Sequence, residues 1–269
     1  AVAADPPPGE TGIGHTRWAT HGAPTEANAH PHVAGRVAVV HNGIVENWRP
    51  LRAELQAAGE RFESETDTEV VARLCARELS RGLDPFDAVR ATVARLHGAF
   101  ALLFLFDGAE DLLVAARHGA PLAIGWGEGE MFVASDALAL GALTRRITYL
   151  EEGDCAAVTR AGARVFDGDG AAVERAVHVL AAEAVAVDKG GQRHFMAKEM
   201  HEQPHTAAVA VAAGPEIMAR AGAAADWAAL QRITLVGCGT AFYACMTARR
   251  WFEAEAGLFA AVDIGSEFR

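Results

Sequence analysis

The sequence predicts an α+β domain of stacked layers with mainly antiparallel sheets, followed by the beginning of an α/β domain with a doubly wound sheet. Three observations lead to this prediction. Up to about residue 180, helical and strand patterns come in clusters and do not alternate strictly. A polar, glycine-containing segment at 188–193 then interrupts the pattern. Beyond it, a single strand–helix–strand pattern follows.

The first region contains strands on either side of two predicted helices. The apolar run at 37–40 leads into Asn42-Gly43, which predicts a buried strand that meets a tight turn. Thr66 and Glu69 have the spacing of a capping box, and apolar residues follow with helical period, so a helix should begin there. A second helix is predicted at 84–96. Further strands, separated by glycine turns, are predicted at 99–106, 112–116, 122–125 and 131–134.

The second region begins with an alanine-rich helix predicted at about 206–222. A strand at 233–236, a turn at 237–240 and a further helix follow, and then a strand at 259–264. This is one βαβ unit, the opening of a doubly wound sheet.

Composition excludes several classes of protein. The formal charge of −11 argues against a nucleic-acid surface or a polybasic membrane contact. The longest apolar run, at 99–106, is too short to span a bilayer, and the N-terminal residues lack the pattern of a signal peptide. The four cysteines show no zinc spacing and no disulfide framework, which predicts a reducing, cytoplasmic location. They are Cys75, Cys155, Cys238 and Cys245.

Asn42-Gly43 has two interpretations on residues alone. It is the commonest two-residue hairpin turn. It also offers a side-chain amide and a backbone N–H, the two donors that stabilise a tetrahedral oxyanion, with a glycine that allows close approach.

Arg17 and Asp67 suit the two charges of a free amino acid. A guanidinium binds a carboxylate through two parallel hydrogen bonds, and a carboxylate accepts from an ammonium. The alternatives are a surface arginine and an aspartate in the first turn of a helix, where the helix dipole favours it.

Five histidines within 27 residues suggest a rival function, a metal-dependent hydrolase. No carboxylate or cysteine stands at a recognised ligand spacing beside them, and the surrounding glycines have no role in a metal site. The histidines are His15, His21, His30, His32 and His41.

The segments HTRWATHG at 15–22, NAHPH at 28–32, VVHNGI at 39–44 and SETDTE at 64–69 together resemble the glutaminase domain of class II, N-terminal-nucleophile glutamine amidotransferases. The resemblance implies a four-layer αββα fold with Asn42 and Gly43 as the oxyanion hole. It implies that Trp18 gates an internal ammonia channel. It also implies a glutamine-binding set of Arg17, Thr20, His21, His30 and Asp67.

The segment at 188–204 resembles the hinge to a sugar-isomerase (SIS) domain in the branch of this family that converts fructose 6-phosphate and glutamine to glucosamine 6-phosphate and glutamate. Glutaminase domain, linker and start of the isomerase domain are then expected at 1–182, 183–205 and 206–269. The turn Cys238-Gly239-Thr240 resembles the sugar-phosphate loop, although Ala241 replaces the family's usual serine. On residues alone, this turn is either a phosphate cradle at a helix N-terminus or simple packing, with Cys238 as a small buried residue.

The resemblance implies no metal or organic cofactor and a homodimer. In the family, an N-terminal cysteine attacks glutamine and its own amine serves as the base. The chain starts at Ala1, so we expect an inactive fragment that lacks the nucleophile and the first strand of the sheet. The alternative is a non-catalytic, glutamine-binding or regulatory module of the same fold.

Overall fold

A computed structural model describes residues 9–17, 21–180, 189, 191–222 and 229–268. The chain divides into two compact units, Ala1–Val187 and Asp188–Arg269. Trp18 and Thr20, predicted to gate the channel and to bind glutamine, lie outside the described residues, as does much of the first half of the predicted linker. In the described ranges, no helix has both the length and the apolar character needed to cross a membrane.

The first unit contains two antiparallel sheets. Its elements in chain order are a 3-10 helix (Glu26–Asn28), β1 (His32–Ala34), β2 (Val37–Val45), α1 (Trp48–Ala57), α2 (Thr68–Ser80), α3 (Pro85–Val93), β3 (Gly98–Phe106), β4 (Leu113–His118), β5 (Ala123–Trp126), β6 (Met131–Ala134), a second 3-10 helix (Ala137–Leu140), β7 (Arg146–Tyr149), β8 (Cys155–Thr159), β9 (Gly162–Phe166), β10 (Ala172–Val173) and β11 (Val177–Val179). The larger sheet has the order β1-β2-β3-β4-β8-β9-β10, and the smaller one β11-β7-β5-β6.

The layers follow from which apolar residues share a core. One core joins α1, α2 and α3 to the larger sheet, with Leu55, Val71 and Phe104 fully buried. A second core joins the two sheets through residues such as Ile124. A third lies on the smaller sheet beneath the second 3-10 helix. The predicted α+β layered class is confirmed. In the described residues, the helical layer on the smaller sheet consists of this one short 3-10 helix.

The prediction of a tight turn at Asn42-Gly43 is wrong. Both residues lie inside β2, where Asn42 pairs with Ala101 and Gly43 with Phe100 of β3. The strand continues because Ile44 and Val45 extend the apolar pattern and β3 offers a partner along the full nine residues of β2. The hairpin interpretation is therefore excluded.

The predicted capping box at the start of α2 is only half formed. Thr66 Oγ1 accepts a hydrogen bond from the backbone N–H of Glu69 at 3.3 Å. The Glu69 carboxylate reaches back past Thr66 and accepts from the N–H groups of Glu63 and Ser64. This arrangement closes the loop that leads into α2 and holds Asp67 at the helix start.

The second unit contains α4 (Phe195–Gly222), β12 (Arg232–Gly237), α5 (Thr240–Glu255) and β13 (Phe259–Ile264). β12 and β13 pair in parallel, so the predicted βαβ pattern is confirmed. The helix predicted from residue 206 begins earlier, at Phe195, and it contains Pro204 and Pro215. The second half of the predicted linker is therefore helical.

Candidate functional site

A cavity of about 790 Å³ lies in the first unit where β2, the start of α2, β6 and the loop at 14–17 meet. It collects five of the residues predicted to act on glutamine, although they come from separate parts of the sequence. His21 lies beside them, with its Nδ1 3.9 Å from Asp67 Oδ1. The five predicted residues that line the cavity are Arg17, His30, Asn42, Gly43 and Asp67.

Asp67 provides a buried negative charge, with only 3% of its surface exposed. Its Oδ2 accepts a hydrogen bond from the backbone N–H of Val45 at 2.8 Å. Asp67 is the residue before the first turn of α2, yet its side chain makes no capping hydrogen bond to that helix. The carboxylate is therefore directed at the end of β2 and at the cavity, not at its own helix.

Arg17 provides the positive charge and is half-buried at the cavity. Its backbone has a φ of 55°. Its N–H donates to His15 Nδ1 at 2.9 Å, and its Nη2 donates to the carbonyl of His21 at 2.8 Å. The guanidinium is thus held by the loop that carries His21, and the interpretation as a plain surface arginine is not supported.

Gly43 lies where the pairing of β2 with β3 leaves no room for a side chain. Its φ is 133°, and an added Cβ would lie 2.1 Å from the carbonyl oxygen of Ala99. No side chain can be placed there without a shift of the backbone. The missing side chain also leaves the main chain of Gly43 open to the cavity beside the exposed amide of Asn42.

The histidines pack against one another around His30. Its ring centroid lies 4.3 Å from that of His15, 5.1 Å from that of His32 and 6.4 Å from that of His41. The backbone N–H of His41 donates to His30 Nδ1 at 3.3 Å, so the neutral ring of His30 carries its proton on Nε2. His30 therefore presents a hydrogen-bond donor and no charge.

Burial keeps these imidazoles uncharged at neutral pH. Desolvation, followed by repulsion from the neighbouring histidines and Arg17, lowers the pKa of His30 to about 3. Desolvation lowers the pKa of His41 to about 4 against the opposing effect of Asp67. Burial also holds the pKa values of His15 and His32 below their usual range. Among the described lining residues, Arg17 and Asp67 therefore carry the charges.

The metal interpretation receives no support from this geometry. In the described parts of the chain, no three side chains of histidine, cysteine, aspartate or glutamate converge as metal ligands would. The ring of His30 instead packs at a tilt against His15 and edge to face against His32, and its Nδ1 already accepts a backbone hydrogen bond.

Two residues that line the cavity, His41 and Thr68, have no individual role predicted from the sequence. His41 is 3% exposed, and its Nδ1 lies 2.9 Å from Thr68 Oγ1 and 3.9 Å from Asp67 Oδ2. Both residues are immediate neighbours of predicted site residues, since His41 precedes Asn42 and Thr68 follows Asp67. That adjacency was the available signal, but it does not show which neighbours share the cavity.

The predicted sugar-phosphate residues lie in the second unit, where Cys238 and Gly239 form the turn between β12 and α5 and Thr240 begins α5. Gly239 has a φ of 55° and stands directly before α5. The prediction that Cys238 is a small buried residue is wrong, because the turn at the end of β12 leaves it exposed.

Lowering the pH should destabilise the first unit. As the pH falls through 6.5, the unfolded chain protonates His30 and His41, whereas the folded protein keeps them neutral until about pH 3 and 4. The contribution of these two histidines to the free energy of unfolding is therefore complete above about pH 7, and it is lost as the pH falls below that value. Urea unfolding at about pH 7.5 and 5.5, above the range where carboxylates titrate, measures this loss. His30→Gln should show a smaller difference, and an equal difference would contradict the assignment.

The four cysteines should differ in reactivity. Burial raises the pKa of Cys75 to about 12 and that of Cys155 to about 11, so their thiolates are scarce in the native protein. A thiol reagent such as dithionitrobenzoate should label Cys238 first and the two buried thiols only after unfolding in urea. Cys238→Ser should remove the fastest phase and Cys75→Ser should leave it unchanged. Fast labelling of Cys75 in the native protein would contradict the burial.

Comparison with known proteins gives a matching domain family first and then several similar named enzymes. Residues 15–142 match the glutamine amidotransferase domain family. Over 272 residues it is 52% identical to the glutamine–fructose-6-phosphate aminotransferase (isomerizing) of Brucella suis, covering 100% of this chain and 45% of that protein. The enzyme of the same name from Bradyrhizobium diazoefficiens is 53% identical over 269 residues, covering 98% of this chain and 44% of that protein.

The chain thus spans less than half the length of these curated relatives. Among solved structures, the glutamine phosphoribosylpyrophosphate amidotransferase of B. subtilis matches with a TM-score of 0.49 and 27% identity, covering 57% of this chain and 34% of that one.

Proposed function

We propose that the cavity binds L-glutamine and that Asn42 and Gly43 stabilise the oxyanion formed when its side-chain amide is attacked. One observation carries this proposal. The cavity brings a cation, Arg17, and an anion, Asp67, to the same space as the oxyanion donors. A free amino acid with an amide side chain has the matching groups: a carboxylate, an ammonium and a carbonyl.

Each contact has a chemical reason. The guanidinium of Arg17 can hold the α-carboxylate through two hydrogen bonds. Asp67 can accept from the α-ammonium, and its burial strengthens that attraction over one in water. Because the imidazoles are neutral, they add no charge that would favour a dicarboxylate over glutamine. The volume of about 790 Å³ lies within the range of small-molecule sites.

A longer protein that contains this chain is proposed to transfer the released ammonia to fructose 6-phosphate, giving glucosamine 6-phosphate and glutamate. The identity of 52% over the whole chain to an enzyme named for these substrates supports this step. The roles of Trp18 at an ammonia channel and Thr20 at glutamine remain proposals, as do those of Cys238, Gly239 and Thr240 at the sugar phosphate. The homodimer is also a proposal, and so are the domain limits 1–182, 183–205 and 206–269.

Calorimetry with the 269-residue chain tests the binding proposal. L-Glutamine should bind more tightly than glutaramate, which lacks the α-ammonium, and than 4-aminobutanamide, which lacks the α-carboxylate. Equal affinities, or no binding of glutamine, would contradict the proposal. Ammonia release in the same samples separates the two functions: binding with release indicates a glutaminase, and binding without release indicates the non-catalytic module.

A further inference from the structure

Asn28 joins two segments outside the cavity through its side-chain amide. Its Nδ2 donates to the carbonyl of Ala23 at 3.0 Å and to Glu65 Oε2 at 3.1 Å. Its Oδ1 accepts from the backbone N–H of Glu65 at 2.9 Å. Asn28 is 3% exposed, so its own amide group is shielded from water and an unmade hydrogen bond there is costly. Its partners Ala23 and Glu65 are exposed. We call this pair, Asn28 and Glu65, the clamp.

The clamp ties together the two walls that carry the charges of the cavity. On one side, Arg17 Nη2 donates to the carbonyl of His21, at the start of the loop that Asn28 closes. On the other side, Glu65 stands two residues before Asp67. The loop closes tightly around the clamp, since an added Cβ on Gly22 would lie 2.7 Å from Asn28 Nδ2.

We infer that Asn28, acting with Glu65, is a positioning residue that sets the separation of Arg17 from Asp67 and thereby the preference of the cavity for α-amino acids. The inference rests on the proposed function. An α-amino acid holds its carboxylate and ammonium at a fixed distance, so only a matching separation lets both charges bind at once. Displacements of about 1 Å are enough to lose such a match.

The substitution Asn28→Asp keeps the shape of the side chain and removes both of its donors. The new carboxylate would face the carbonyl of Ala23 and the carboxylate of Glu65, so the two walls should move apart. The double variant Asn28→Asp, Glu65→Gln supplies an amide donor opposite the new carboxylate. It should restore one of the lost links.

Calorimetry with L-glutamine and glutaramate tests selectivity. In Asn28→Asp, the affinity for glutamine should fall roughly 10-fold or more, and the affinity for glutaramate far less, so their ratio falls. The double variant should recover part of the ratio. Asp154→Asn is the matched control, because it weakens the ion pair of the buried Asp154 with the half-buried Arg175, and neither residue lines the cavity. Equal weakening of both ligands by Asn28→Asp, or an equal fall of the ratio in the control, would overturn the inference.

A readout without ligand keeps the two proposals separate. His21 Nδ1 lies 3.9 Å from Asp67 Oδ1, so the ring nitrogens of His21 report the distance between the walls. Their ¹⁵N chemical shifts should change in Asn28→Asp, return toward the original values in the double variant, and stay constant in Asp154→Asn. Unchanged shifts in Asn28→Asp would overturn the clamp even if glutamine binds. Failure of the original chain to bind glutamine would contradict the proposed function, and the shifts would still decide whether the clamp holds the walls.

Discussion

Asp67→Asn should lower the affinity of the chain for L-glutamine roughly 100-fold, the expected cost of removing one partner of a buried charge pair. The substitution keeps the shape of the side chain. An amide oxygen can still accept from the backbone N–H of Val45, which now bonds to Asp67 at 2.8 Å, so the end of β2 keeps its partner. The loss therefore falls on the ammonium of the ligand and not on the fold.

Calorimetry with glutamine and glutaramate measures this effect, since glutaramate has no ammonium and its affinity should hardly change. Asp84→Asn is the matched control. Asp84 also stands before a helix, α3, where its side chain accepts from the N–H of Asp87, but it lies outside the lining of the cavity. Glutamine binding that is equally strong in Asp67→Asn and in Asp84→Asn would contradict the role of Asp67.

Gly43→Ala should reduce the free energy of unfolding of the first unit by about 3–5 kcal/mol, the sum of a strained backbone and an overpacked contact. Gly43 has a φ of 133°, a value that alanine rarely adopts. Its new methyl group would also lie 2.1 Å from the carbonyl oxygen of Ala99. That neighbour is backbone of β3 and cannot rotate away, so the two strands must separate.

Gly59→Ala separates the two contributions. Gly59 has a φ of 94°, and an added Cβ there meets no atom within 4 Å. Its replacement should cost only the backbone strain, about 1–2 kcal/mol. Urea unfolding followed by circular dichroism compares both variants with the original chain. If Gly43→Ala were no less stable than Gly59→Ala, the clash of a side chain at residue 43 with the backbone of Ala99 would be contradicted.

Local patterns predicted the elements well where one periodicity dominated. The strands expected at 99–106 and 131–134 are β3 and β6, and the strand expected at 259–264 is β13. Each is an apolar run bounded by turn residues, a pattern that depends only on close neighbours in sequence. The predicted helix ends were less accurate. α3 ends at Val93, where the prediction was residue 96, and α4 begins at Phe195, where the prediction was about residue 206.

Asn42-Gly43 shows why a motif alone is insufficient. The dipeptide favours a hairpin when only its own conformational preferences count. Pairing with Ala101 and Phe100 on a strand more than fifty residues away overrides this preference and places both residues in mid-strand. The same pairing brings Asn42 and Gly43 to the cavity.

The residue pattern alone specified the layered α+β class, the βαβ unit and, through four short segments, the residues that were expected to handle glutamine. These properties depend on periodicity and on local motifs, which are written along the chain. The tertiary structure decided that Arg17, His30 and Asp67 share one cavity, that the imidazoles there are neutral and that Asn28 holds the walls to each other. Those properties depend on burial and on contacts between distant segments, because desolvation and hydrogen-bond partners exist only once the chain has folded.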